Sequence, residues 1–241
     1  MLPCLARAAC LALALLAGPA MAGDLTDFNA AVEQAQSHNR VAIGYLRTGN
    51  VDLASLEIDR LREAWGALAH RFAGKRPDAF DGIARYGTLW TGVSAHLVAA
   101  DLMLKSGRPD AARQSLDAIR GDLYDLRMAA GIAVLADCVR DANAAMDALM
   151  LYNDRALDWT KSQTRFGIAN KASIYDSVLE RCDGMAGELV RTAPEFRRLV
   201  DGAKAGLALI PKAIATRDSD LLHRVLIELR SFDNLLAFRF G

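Results

Sequence analysis

Apolar side chains recur along this chain at the three- and four-residue spacing of one helix face. Leu25, Phe28, Ala31, Val32, Ala35, Ala42, Tyr45 and Leu46 fall mostly on one stripe and predict a first helix. Thr48-Gly49-Asn50 interrupts it. A second stripe starts at once with Leu53, Leu56, Leu61, Ala64, Trp65 and Leu68, and Asn50 is its candidate cap. Gly74 and Pro77 in "AGKRPDAF" disfavour continuation, and a third helix follows over 82–106. After "SGRP" the pattern runs over 110–152, too long for one ordinary helix, so a break is expected near Ala129-Ala130-Gly131. Helices over 169–191 and 194–215 come next. The latter opens with a Thr192-x-x-Glu195 capping-box spacing and is kinked or ended by Pro211. Asp218 or Ser219 caps a last helix that reaches Phe240. Strand-like alternation is absent. The expected class is all-α, with antiparallel helical hairpins packed as a bundle or a short helical-repeat stack.

The corner at Gly49 has counterparts further along. Shifting the chain by 58 lays Asp52 on Asp110, Ala54 on Ala112, Ile58 on Leu116, Leu61 on Ile119, Arg62 on Arg120 and Leu68 on Leu126. A shift of 168 reaches Asp220, Leu226, Leu229, Arg230 and Leu236, and lays Phe72 on Phe240. That spacing asks for one more copy near residue 165, which "TKSQTRFGIANKASIYD" does not supply. The pattern is read as a repeat, with chance similarity between amphipathic helices as the alternative. "YLRTGNVDLASLEIDRL" and "LMLKSGRPDAARQSLDAI" resemble the inter-helix turn of the tetratricopeptide family, over about 20 residues per copy. The period, roughly 56, departs from that family's 34, and its tryptophan-leucine-glycine start is absent. The resemblance implies hairpins of longer helices and the binding of a partner protein.

The N-terminus changes the picture. "MLPCLARAACLALALLAGPAMA" carries one charge, Arg7, then an apolar run over 8–16 and a small-x-small ending at Ala20-Met21-Ala22. Residues 1–22 therefore read as a signal peptide cleaved after Ala22. Residues 23–241 are expected to form a single all-helical domain, with a subdivision near 131 into 23–130 and 131–241 as the alternative. No stretch in 23–241 is long and apolar enough to span a bilayer. The chain has 29 basic and 29 acidic residues. Loss of Arg7 leaves a net charge of about −1, which gives no attraction for nucleic acid or an anionic membrane surface.

Cysteine usage agrees with export. Cys4 and Cys10 lie in the leader, so Cys138 and Cys182 remain, each on an apolar helical face. In an oxidising compartment two such thiols most simply form one disulfide. Unpaired core thiols are one alternative. A metal or redox role is another, for which the C-x-x-C spacing is missing. The expected location is the periplasm, or the medium if the protein is secreted.

Candidate chemistry is sparse. His38, His70, His96 and His223 show no His-x3-His or Glu-x-x-His spacing, and no C-x-x-C-H haem attachment occurs. Glu63 and His70 share a face of the second helix, as do His96 and Met103 of the third. Asp220 and His223 read as a local pair. Met146 and Met150, near Met128, suit core filling better than copper binding. No nucleophile elbow, P-loop or G-x-G-x-x-G is present. No cofactor, metal site or catalytic residue is predicted.

"HRVLIELRSFDNLLAFRFG" mixes Arg224, Glu228, Arg230, Asp233 and Arg239 with apolar residues on more than one face, so some of these charges should meet neighbouring helices. Arg62, Arg120 and Arg230 are the candidate partner-binding or ion-pair residues, each expected to meet an acid of the adjacent hairpin. These readings together describe an exported, non-catalytic helical accessory protein that binds another periplasmic or secreted protein. The rival is a bundle carrying a metal or a non-covalent haem on some of His70, His96, His223 and Met103.

Overall fold

A computed structural model describes residues 20–154 and 156–241, with side chains from Asp24 onward. The predicted leader lies outside the described residues except for 20–22, which open the first helix. The described chain is helical from end to end, with no strand among the described residues. Its helices are α1 (Ala20–Arg47), α2 (Val51–Phe72), α3 (Ala84–Lys105), α4 (Pro109–Ala129), α5 (Leu135–Met150), α6 (Ser162–Met185), α7 (Glu188–Arg191), α8 (Pro194–Leu207), α9 (Ile210–Thr216) and α10 (Ser219–Phe240). A single 3-10 turn, Asp78–Phe80, precedes α3.

Three local expectations differ from the structure. The stretch 169–191 is one helix, α6, that begins earlier at Ser162, followed by extended backbone at Ala186-Gly187 and the single turn α7. The stretch 194–215 breaks at Ala208-Leu209. Pro211 has no N–H to return to Leu207, and its ring crowds that carbonyl, so α8 ends and α9 restarts. The capping box at Thr192 does not form. Thr192 still has near-helical backbone at the end of α7, so its hydroxyl donates back to Glu188 O at 2.7 Å, and Glu195 pairs with Arg239. Asp218 does cap α10, accepting from the Leu221 N–H at 2.8 Å.

Four helix ends share one device. After Gly49 the Asn50 N–H donates back to Tyr45 O, and after Gly107 the Arg108 N–H donates to Met103 O. Ile132 to Arg127 O and Asp218 to Ala213 O repeat the same six-to-one bond. Each follows a left-handed residue: Gly49, Gly107, Gly131 and Arg217. This is the Schellman ending, in which a positive φ turns the chain so that an orphan carbonyl is met. Asn50 thus closes α1, with its side-chain amide donating to Thr48 Oγ1.

The repeat columns share burial as well as residue type. Ala54, Ala112 and Leu222 are fully buried, as are Leu61, Ile119 and Leu229, while Ile58, Leu116 and Leu226 are nearly or fully so. One column breaks the rule: Trp65 and Leu123 answer to Asp233, which is also fully buried.

By contact the chain forms two compact units with borders inside helices. One takes residues up to Asn39 and Ser55–Leu126, the other Arg40–Ala54 and Arg127–Gly241. The α1–α2 corner goes with the second unit because Arg40 donates to Gly241 O (2.9 Å), Arg47 to Asn234, and the Phe238 ring lies against Gly44.

In the first unit α1 and α2 run antiparallel, tied by Asp27 with Arg71 and by His38 with Glu57. Its core centres on Phe28, in ring contact with Phe72, Phe80 and Tyr86. The Tyr86 hydroxyl donates to Phe72 O at 2.7 Å, and burial pushes its pKa up to about 12.

In the second unit α6 packs along α5, and α10 packs along α5 and α8. Their shared core includes Met146, Leu149, Leu179, Phe196, Leu199, Leu226 and Leu229. Cys138 of α5 and Cys182 of α6 form the disulfide, with Cα atoms 5.4 Å apart. A buried bidentate pair, Arg127 Nε and Nη2 with the two Asp137 oxygens, fixes the turn into α5. Asp137 also accepts from the Val134 N–H.

Candidate functional site

The second unit carries the two arrangements with functional character. The first is a groove of about 600 Å³ between α6, α8 and α9. The α6 side supplies Ala169, Ala172, Ser173 and Asp176; the facing wall is Leu207, Ala208, Ile210, Pro211, Ile214 and Ala215. The Pro211 break makes this wall possible, because it bends the chain where a continuous helix would have run on straight. Small residues keep the floor low, and Lys204 stands at one end. Its ammonium donates to Glu180 at 2.9 Å. That hydrogen bond, aided by Asp176 and Asp183 nearby, raises its pKa.

The groove continues onto an exposed face of α6. Ala169 and Ser173 line both the groove and a shallow furrow formed with Phe166, Asn170, Ile174 and Arg181. Phe166 is 71% exposed and Ile174 43%. Large apolar side chains left in water at helical spacing, beside an apolar groove, are the usual mark of a surface that another molecule covers.

The second arrangement lies inside the unit. Asp233 of α10 is fully buried. Its Oδ2 accepts from Arg230 Nη1 at 3.1 Å, and Arg230 Nη2 reaches the exposed Asp147 of α5. Asn143 of α5 also hydrogen-bonds the carboxylate. Oδ1 of Asp233 and the hydroxyl of fully buried Tyr175 both lack a hydrogen-bond partner of ordinary geometry. Burial pushes the Asp233 pKa up to about 6, against the opposing pull of Asn143 and Arg230. Burial likewise raises the Tyr175 pKa, with the Asp233 charge adding to it.

The residues singled out from sequence fall as follows. Arg230 meets an acid on a neighbouring helix, Asp147. Arg62 does not: it pairs with Asp59, one turn earlier on its own helix. Arg120 pairs with Asp117 within α4. An acid three residues before the arginine is available in α2 and α4, whereas α10 has Ile227 there, so Arg230 turns to Asp233 and Asp147. Of the histidines, His96 sits 3.3 Å from Asp122 and His223 bonds Asn153 at 2.7 Å. His70 is exposed. Among the described residues no three of His, Cys, Asp and Glu stand close enough to share a metal ion.

The groove and the buried acid were not singled out from sequence. The groove had no signal, since alanines and a proline at helical spacing read as packing. Asp233 had one: the same shift that lays Arg62 on Arg230 lays Trp65 on Asp233. Comparison of the chain with protein families, curated proteins and solved structures finds no match.

Proposed function

We propose that this is an exported, non-catalytic accessory protein that binds another protein through the α6–α8–α9 groove and the Phe166–Ile174 face beside it. The observation that carries the reading is the continuity of the groove with large exposed apolar side chains through Ser173 and Ala169. Aromatic and branched anchors beside a pocket are the features that dominate protein–protein affinity. Export is supported by the leader pattern of residues 1–22 and by the Cys138–Cys182 disulfide, a bond that persists in oxidising compartments.

The test is cross-linking in intact cells, comparing the wild type with Ser173→Arg, which blocks the groove at an exposed position. Loss of one specific cross-linked protein at unchanged melting temperature supports the reading. An identical cross-linking pattern overturns it. Fusing residues 1–22 to a phosphatase that is active only outside the cytoplasm tests export separately.

A further inference from the structure

We propose that Asp233 and Tyr175 form a proton-operated clasp in the core of the second unit, which tightens α10 onto α5 and α6 as the surroundings acidify and eases it near neutrality. The placement carries the inference. The equivalent positions of α2 and α4 hold Trp65 and Leu123, both buried hydrocarbon. In α10 a carboxylate stands in that column, where its charge is costly. Asp233 shares its cation, Arg230, with Asp147, so the buried charge is only partly compensated. Across the core the Tyr175 phenol oxygen stands near the Asp233 carboxylate, and neither it nor Oδ1 has a hydrogen bond of ordinary geometry. One proton taken from solvent by Oδ1 removes the buried charge and supplies a donor for the phenol oxygen. It also releases Arg230 to complete its bond with Asp147.

The groups on the elements packed against α10 fit this reading, α9 contributing only the exposed Lys212. From α5 come Asn143 and Asp147, and from α6 comes Tyr175. From α8 the close approaches are Gly202 under Phe232 and Gly206 against Leu229. The α8 cations Arg197 and Lys204 are held by Asp183 and Glu180. At the C-terminal end of α1, Arg47 bonds Asn234.

The experiment measures denaturant midpoints of the full chain between about pH 7.5 and pH 5 for wild type, Asp233→Asn, Asp147→Asn and Tyr175→Phe. It also follows the Asp233 carboxyl carbon by NMR titration in the wild type, which needs no variant to fold. The wild-type midpoint should rise on acidification relative to Asp233→Asn. Asp147→Asn should move that change to lower pH by about one unit, because it removes a like charge and frees Arg230 for Asp233. Tyr175→Phe should move it to lower pH, because the protonated carboxyl loses the oxygen that accepts from it. Backbone amide protection in α10, corrected for intrinsic exchange rates, should rise over the same interval. Parallel pH profiles for wild type and Asp233→Asn, or a carboxyl resonance that titrates in the ordinary aspartate range, would overturn the clasp.

Discussion

Asp233 in α10 stands where Trp65 stands in α2, each the same number of residues beyond the left-handed residue that ends the preceding helix. Both are buried, and both are flanked one turn on by a buried leucine, Leu236 and Leu68. The column is thus a core position by geometry, and α10 has placed an acid in it.

Replacing the two members of this ion pair should have opposite effects. Because burial raises the Asp233 pKa above its unfolded value, its favourable contribution is complete below about pH 4 and is lost as pH rises through about 6. Asp233→Leu should therefore raise stability at pH 7.5, by up to about 3 kcal/mol. It should also abolish this part of the pH dependence. Arg230→Leu leaves the buried carboxylate without its cation and should cost about 2 kcal/mol at the same pH. Thermal melts of both variants at pH 7.5 decide it; a fall in both melting temperatures would contradict the argument.

Arg127 and Asp137 are both buried, and each satisfies the other in a bidentate pair at the α4–α5 turn. Arg127→Ala strands a buried carboxylate and should destabilise by about 3–5 kcal/mol, as should Asp137→Ala for the converse reason. The double variant should cost less than the sum of the two, which a double-mutant cycle by urea denaturation measures.

The Cys138–Cys182 bond closes a loop of 44 residues in sequence separation. Chain-entropy reasoning gives it about 4 kcal/mol of stabilisation. Reduction should lower the denaturant midpoint of the second unit, and a Cys138→Ala, Cys182→Ala variant should melt at the reduced protein's temperature.

Gly202 lies under the Phe232 ring, where an added Cβ would come within 2.7 Å of ring carbon. Gly202→Ala should cost about 1–3 kcal/mol through overpacking of α8 against α10. Phe232→Leu in the same chain should recover part of the loss, since the obstruction is the ring. Equal melting temperatures for the single and double variants would show the contact to be soft.

Arg217 adopts φ 55° at a corner where the equivalent residues Gly49 and Gly107 are glycines. A side chain there pays for the left-handed conformation, so Arg217→Gly should stabilise by about 1 kcal/mol. Gly107→Ala should cost a similar amount. Calorimetric melting of the two variants should show shifts of opposite sign.

Much of the helical layout was legible because the apolar period of 3.6 residues is a local property, and Gly49, Gly107 and Asp218 punctuate it through local backbone chemistry. Boundaries failed where non-local facts intervened. Thr192 reads as a cap only if its backbone is extended, and the continuation of α7 keeps it near-helical. Arg62 reads as a bridge between hairpins, but a nearer acid on the same helix captures it.

The sequence by itself determined the helical class, the corners and the apolar columns, because each depends on residues within a few positions of one another. Only the tertiary structure decided which faces meet. It gathered α6, α8 and α9 around the groove, and carried Asp233 into a core column opposite Tyr175. These contacts join residues far apart in the chain, and the free energy that selects them is set by how whole faces fit together, which no local pattern encodes.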